Sequence, residues 1–245
     1  MNIKDVNINY VQYGNKEGKD IVLLHGWGQN IEMMDPIGRR LEEDFRITII
    51  DFPGFGKSGE PPTALTVYNY YELLDEFLSK LKIKEPILIG HSFGGRVAII
   101  YAALKPVTKL ILFAAPFRRS NKKADLKLKV LKFMKKVPVI KRLEGFAKKH
   151  MGSTDYRNAT PIMRKILVNV INENLYDYLT KIKASTILIW GSEDTEVPVE
   201  EAKVIENTIN DCGLIIYEGC THYAYLERID QTVNIINEFL KDVKK

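Results

Sequence analysis

The chain is sparing with cysteine and histidine: its 245 residues include two of the former, Cys212 and Cys220, and four of the latter. Two cysteines cannot make a disulfide framework, so small stapled secreted scaffolds are set aside and a pair of buried thiols is expected. No run approaches the roughly 20 consecutive apolar residues that a membrane-spanning helix needs. Residues 1–20 also lack the continuous apolar stretch of a secretory signal. These absences lead us to expect a soluble, cytoplasmic protein. Internal repeats and collagen-like or disordered composition are missing as well. What is present is a 45% hydrophobic chain, long enough to bury a sizeable core in one large α/β domain or in one domain carrying an insertion.

Charge is unevenly spread. Residues 118–149 hold 13 Lys and Arg against two acids, Asp125 and Glu144, a local balance of +11. Because the whole chain carries +5, the remainder sums to −6. One strongly basic segment therefore sits on an otherwise acidic protein.

The first half alternates short β-branched runs with amphipathic stretches, the pattern of a mostly parallel sheet covered by helices on both faces. Strands are predicted at 6–13, 21–24, 46–51, 86–89 and 109–113, and helices at 33–43, 67–81 and 93–104. The same alternation resumes after residue 183, with strands at 186–190 and 214–217 and helices at 199–208 and 230–243. Between the halves strand signals stop. Leu126, Val130, Phe133 or Met134 and Val137 recur at helical spacing until Pro138, and further helical patterns cover 140–149 and 161–179. Residues 117–183 thus read as a helical lid inserted into a core made of 1–116 and 184–245. In an open α/β sheet, ligands bind beyond the carboxyl ends of the strands, where such an insertion would roof the site.

The most informative local motif is Gly90-His91-Ser92-Phe93-Gly94, between the apolar run 86–89 and the helical pattern 93–104. A serine hydroxyl is a poor nucleophile at neutral pH and must be held exposed beside a base. A sharp strand-to-helix turn does this, and crowds the backbone enough to require glycine on both sides. The helix it opens presents free N–H groups to a developing oxyanion.

Ser92 needs a base from a separate loop at the same sheet edge. His25 lies in a tight turn before Gly26, His91 is on the elbow itself, and His150 ends the basic segment. His222, in Gly219-Cys220-Thr221-His222 beyond the last strand, fits that requirement. The carboxylate that would fix its tautomer is assigned to Asp194, in the loop after the strand ending at Trp190, with Glu193 and Glu196 as neighbouring competitors. The alternative strand end, Ala114-Ala115-Pro116, carries no acid. The first oxyanion donor is the Phe93 N–H, and the second is the Trp27 N–H of the loop Leu24-His25-Gly26-Trp27-Gly28. His25 and His91 read first as satisfied structural histidines; His25 is also placed, with Phe117, at the substrate pocket. No metal or other cofactor is called for.

Taken together, His25-Gly26-Trp27-Gly28, Asp51-Phe52-Pro53-Gly54-Phe55-Gly56-Lys57-Ser58, the elbow, 191–198 and 219–222 make the chain resemble the α/β-hydrolase family over nearly its whole length. The resemblance implies a Ser/Asp/His triad without a cofactor, and a structural role for 51–58. Serine at the nucleophile position argues against the dehalogenase and epoxide hydrolase branches, which carry aspartate there. The expected activity is carboxylic ester hydrolysis through an acyl-enzyme on Ser92.

Within esterases the same pieces resemble the pimeloyl-acyl-carrier-protein methyl esterase branch. A basic lid would steer an acidic carrier protein bearing the ester. It would equally rest on an anionic lipid surface, as a lysophospholipase or monoacylglycerol lipase requires, or serve only to keep the lid hydrated. Nucleic acid is not expected, since no binding motif accompanies the charge. Carbon-carbon bond hydrolases of ring-cleavage products and non-catalytic small-molecule receptors are the other classes on this scaffold. The oligomeric state is not legible.

Overall fold

Five short apolar strands build the centre of the molecule. The structure, a computed structural model, describes residues 1–119 and 159–244. Strands β1 (Asn2–Ile3) and β2 (Val6–Asn7) form a small antiparallel hairpin. The main sheet contains β3 (Tyr10–Gly14), β4 (Asp20–Leu24), β5 (Arg46–Ile50), β6 (Ile87–His91), β7 (Lys109–Phe113), β8 (Thr186–Gly191) and β9 (Cys212–Tyr217). Its seven strands run in the order β3-β5-β4-β6-β7-β8-β9. Only β3 is antiparallel to its neighbour.

Side-chain alternation divides the core into two layers. Val22, Leu24, Leu88, Leu110, Leu112, Leu188 and Trp190 face one way. There they meet α2 (Val67–Lys80), α3 (Phe93–Leu104) and α6 (Val199–Thr208). Ile21, Leu23, Ile47, Ile49, Ile87, Ile89, Ile111 and Ile189 face the other way, against α1 (Ile31–Leu41), α7 (Ala224–Glu227) and α8 (Ile229–Phe239). Both faces being covered explains why these strands read as continuous apolar runs rather than as alternating ones.

Helix starts follow local chemistry. Asn30 caps α1 through Glu32 N, and Thr66 and Asn69 form a reciprocal capping box at α2. Between β7 and β8 lie α4 (Pro161–Asn172), capped by Thr160 with Pro161 opening the helix, and the single turn α5 (Tyr176–Leu179). These two elements occupy the helical pattern at 161–179. The patterns at 126–137 and 140–149, His150 and most of the basic segment lie outside the described residues; of that segment only Arg118 and Arg119 are described.

Two expectations need correction. The run 6–13 is not one strand: Lys4 and Asp5 turn the chain at φ 45° and 64° to make the β1–β2 hairpin, and β3 begins afresh at Tyr10. No glycine marks that turn; its one sequence signal is Asp5, a residue type that tolerates the left-handed region. Of the two cysteines, both free, only Cys220 is buried; Cys212 opens β9 half-buried.

Candidate active site

Strands β6, β8 and β9 are parallel neighbours or near neighbours, so the loops after them emerge at one sheet edge. That topology brings Ser92, Asp194 and His222 together from distant parts of the chain.

Ser92 occupies the turn between β6 and α3 with φ 48° and ψ −109°, a region L-residues rarely adopt. The turn is possible because the chain behind it is nearly bare. A Cβ on Gly94 would lie 2.3 Å from the Leu24 carbonyl oxygen and 2.6 Å from that of His25. The Ser92 backbone is fixed by its N–H to Phe113 O at 2.9 Å and by the Arg96 N–H to Ser92 O at 3.2 Å. Its hydroxyl does not cap α3. The Phe93 and Trp27 N–H groups, the assigned oxyanion donors, have no protein acceptor among the described residues. The two rings meet edge to face at 5.6 Å.

The Asp194 side chain is fully buried, and its two oxygens have separate tasks. Oδ1 accepts the Glu196 and Val197 N–H groups, each at 2.8 Å. Oδ2 lies 2.7 Å from His222 Nδ1, which sets that nitrogen as the protonated one and leaves Nε2 as the acceptor. The supporting loops are laced together: Glu193 N–H donates to Cys220 O at 2.9 Å, and Gly219 N–H to Ser192 Oγ at 2.9 Å. Thr221, the residue before the histidine, is held by the Glu227 carboxylate through its amide and hydroxyl.

Ser92 Oγ has no hydrogen-bond partner among the described residues, and the contact facing His222 Nε2 is the Glu196 carboxylate at 3.7 Å. Hydrogen bonds of this kind are often long before substrate enters. His91, beside His222, is completely buried and held neutral, its pKa pushed well below the usual imidazole value by burial and then by the neighbouring His222. It contacts Gln29 Oε1 and His222 O, both at 3.2 Å. A neutral ring donates only once, so one of these two contacts is a hydrogen bond and the other is packing.

His25 takes the structural role expected of it and not the pocket position. It is buried and does not line the cleft. Its Nδ1–H donates to Gly26 O at 2.7 Å and its Nε2 accepts the Phe52 N–H at 3.0 Å. It thereby ties the Trp27 loop to the 51–58 turn, and burial lowers its pKa to about 4. That turn is organised by Asp51, whose carboxylate accepts from Ile31 N, Asn9 Nδ2 and Lys57 N at 2.7–2.8 Å. Phe117 is fully buried in the core and does not line the cleft, and the Leu175 N–H bonds its backbone carbonyl at 2.7 Å.

The cleft above Ser92 has a volume of about 520 Å³. Trp27, Phe93, Leu167, Val170, Val197 and Pro198 give it a largely apolar wall, with Arg96, Arg118, Arg119, Glu196 and Glu201 as its charged members. The sequence pattern places a helix over α4 and a roof over the site, but it does not single out Leu167 and Val170 as wall residues, nor Arg96 and Glu201. Glu196 was visible only as a neighbour of Asp194. Among the described residues no group of three or more His, Cys, Asp or Glu side chains is arranged to hold a metal ion, and none forms a helix long and apolar enough to cross a membrane.

A parallel sheet with a strained serine at a strand-to-helix turn, and a paired aspartate and histidine at the same edge, defines an α/β-hydrolase architecture. A family model described as alpha/beta hydrolase fold matches residues 20–142, and the chain belongs to that family. A monoacylglycerol lipase from Mus musculus is 26% identical over 91% of this chain and 76% of its own. A pimeloyl-acyl-carrier-protein methyl ester esterase from Aliivibrio fischeri is 24% identical over 91% of this chain and 94% of its own. Among solved structures, a membrane phospholipase A described as a bacterial virulence factor matches with a TM-score of 0.80 and 25% identity, covering 99% of this chain and 85% of that one.

Proposed function

We propose that the protein hydrolyses carboxylic esters through an acyl-enzyme on Ser92. The observation that carries this reading is the strained Ser92 at the floor of an apolar cleft, beside a histidine whose Nδ1 is engaged by a buried carboxylate. Ser92 Oγ attacks the ester carbonyl as His222 Nε2 takes its proton. The Phe93 and Trp27 N–H groups hold the oxyanion, and the proton on His222 passes to the departing alcohol. Water activated by the same nitrogen then frees the acid. Asp194 fixes the tautomer and stabilises the imidazolium.

The apolar wall suits an acyl chain. In this reading residues 117–183 serve as the lid, and the basic composition of 118–149 is what would attract an acidic carrier protein or an anionic lipid. The names of the relatives, a monoacylglycerol lipase and a carrier-protein methyl ester esterase, support an ester substrate of one of these two kinds. The free state of Cys212 and Cys220 suits a reducing, cytoplasmic setting. The test is hydrolysis of p-nitrophenyl esters of increasing acyl length by the parent and by Ser92→Ala. Turnover by the parent and its loss in Ser92→Ala is the expected result; equal rates in the two proteins would refute the reading.

A further inference from the structure

We infer that Glu196 selects the charge of the alcohol half of the substrate, favouring a cationic alcohol over a neutral one and disfavouring an anionic one. The inference rests on the ester-hydrolase reading above and extends it to the leaving group.

Three observations carry it. Glu196 lines the same cleft as Ser92. Its Oε2 is 3.7 Å from His222 Nε2, the nitrogen that must protonate the departing oxygen. Its backbone is clamped, because the Glu196 N–H donates to Asp194 Oδ1 at 2.8 Å, so the side chain pivots from a fixed point beside the base.

In the acylation step the Ser92 Oγ–carbonyl bond forms and the carbonyl–alkoxy bond breaks. The proton taken from Ser92 leaves His222 Nε2 for the alkoxy oxygen, and a neutral alcohol departs. For that transfer the alkoxy oxygen must come within about 3 Å of Nε2. Substituents on the alcohol are therefore held within several ångströms of the Glu196 carboxylate. A quaternary ammonium there is attracted and a sulfonate or phosphate is repelled. The Glu196 side chain is 62% exposed, so the effect is screened to about three- to tenfold in rate.

Of the cationic residues of the cleft, Arg118 is paired with Glu201 at 3.1 Å. Arg96 donates to the neutral carbonyls of Pro116 and Glu173 and Arg119 to the neutral Asn172 Oδ1, so both keep their charge. Their contribution is common to the parent and to a Glu196 variant, so comparing the two removes it and leaves the part that Glu196 supplies.

The test uses three butyrate esters of similar shape: butyrylcholine, its uncharged isostere 3,3-dimethylbutyl butyrate, and 2-sulfoethyl butyrate. Values of kcat/KM are measured at low and high salt for the parent, Glu196→Gln and Glu193→Gln. Glu193 is exposed and does not line the cleft, so its variant removes the same charge outside the leaving-group path. The cation-to-anion ratio is expected to fall about tenfold in Glu196→Gln, to stay within about twofold in Glu193→Gln, and to converge between parent and Glu196→Gln at high salt. Equal ratios in parent and Glu196→Gln, with the esters turned over, would overturn the role of Glu196 alone. No turnover of any ester by the parent would overturn the ester-hydrolase reading and this inference with it.

Discussion

Arg96 Nη2 donates to the Glu173 backbone carbonyl at 2.7 Å. The same guanidinium, one helical turn beyond Ser92, donates through Nη1 to Pro116 O at 3.0 Å. It thus holds the end of the segment leaving β7 and the end of α4 together. Glu173 extends the junction by accepting the Val67 N–H at the start of α2 at 2.7 Å. Burial pulls the Arg96 pKa down to about 10, which leaves it charged at neutral pH. Replacing it with Met should strand two carbonyls and cost about 1–3 kcal/mol. Arg96→Lys should recover part of that loss. Urea unfolding monitored by circular dichroism measures both, and an Arg96→Met midpoint equal to the parent's would show that the junction contributes nothing.

Acid should destabilise the protein through His25. Its folded pKa of about 4 lies below the usual 6.5 because burial disfavours the charged ring. Between these values the unfolded chain binds a proton that the folded one does not, so stability rises with pH. The contribution is fully present above about pH 6.5 and is lost as pH falls toward 4, a total of about 3 kcal/mol at 1.36 kcal/mol per unit. His91, shifted the same way, acts in the same direction. Unfolding free energies measured at half-unit steps from pH 7.5 to 4.5 should fall steadily below 6.5. A flat profile across that interval would contradict the buried, neutral assignment.

The parallel core was legible because both sheet faces are covered, so each strand announces itself as a short apolar run. Ser92, Asp194 and His222 were legible as candidates for a related reason: each follows the end of an apolar run, and the ends of parallel strands share one sheet edge. Pocket walls have no such signature. His25 and Phe117 are close to the site in sequence terms, yet His25 turns inward to accept Phe52 N–H and Phe117 joins the core. The wall instead comes from Leu167 and Val170 on α4, whose position is decided by the Arg96–Glu173 junction and by Asn169 Nδ2 bonding Leu65 O at 3.1 Å. Those are contacts between residues about 80 to 100 positions apart, and no local pattern encodes them.

Asp194→Asn should preserve the loop but spoil the base. The amide oxygen can keep the Glu196 and Val197 N–H bonds now made to Oδ1, which turns the amide nitrogen toward His222 Nδ1. Two donors then face each other unless the imidazole moves its proton to Nε2, where it can no longer accept from Ser92. On the ester-hydrolase reading kcat should fall by about 1,000- to 10,000-fold with KM little changed. Steady-state kinetics on p-nitrophenyl butyrate would decide, and a loss below about tenfold would remove Asp194 from its assigned role.

Gly191→Ala should separate activity from folding. Gly191 ends β8, and a Cβ there would lie 2.2 Å from Cys220 O and 2.3 Å from Thr221 O. Both obstacles are backbone, so relief requires the 191–194 and 219–222 loops to move apart. Those loops carry Asp194 and His222, whose 2.7 Å contact depends on their close approach. Core residues of β8 such as Leu188 and Ile189 pack on the two sheet faces, away from this junction, and should keep the sheet intact. A displacement of the order of 1 Å at a reacting group can cost about 100-fold in rate. We therefore expect kcat/KM to drop by about two orders of magnitude, with the far-ultraviolet circular dichroism spectrum retained. Full activity in the alanine variant would mean that the two loops tolerate separation and that the Asp194–His222 contact does not limit turnover.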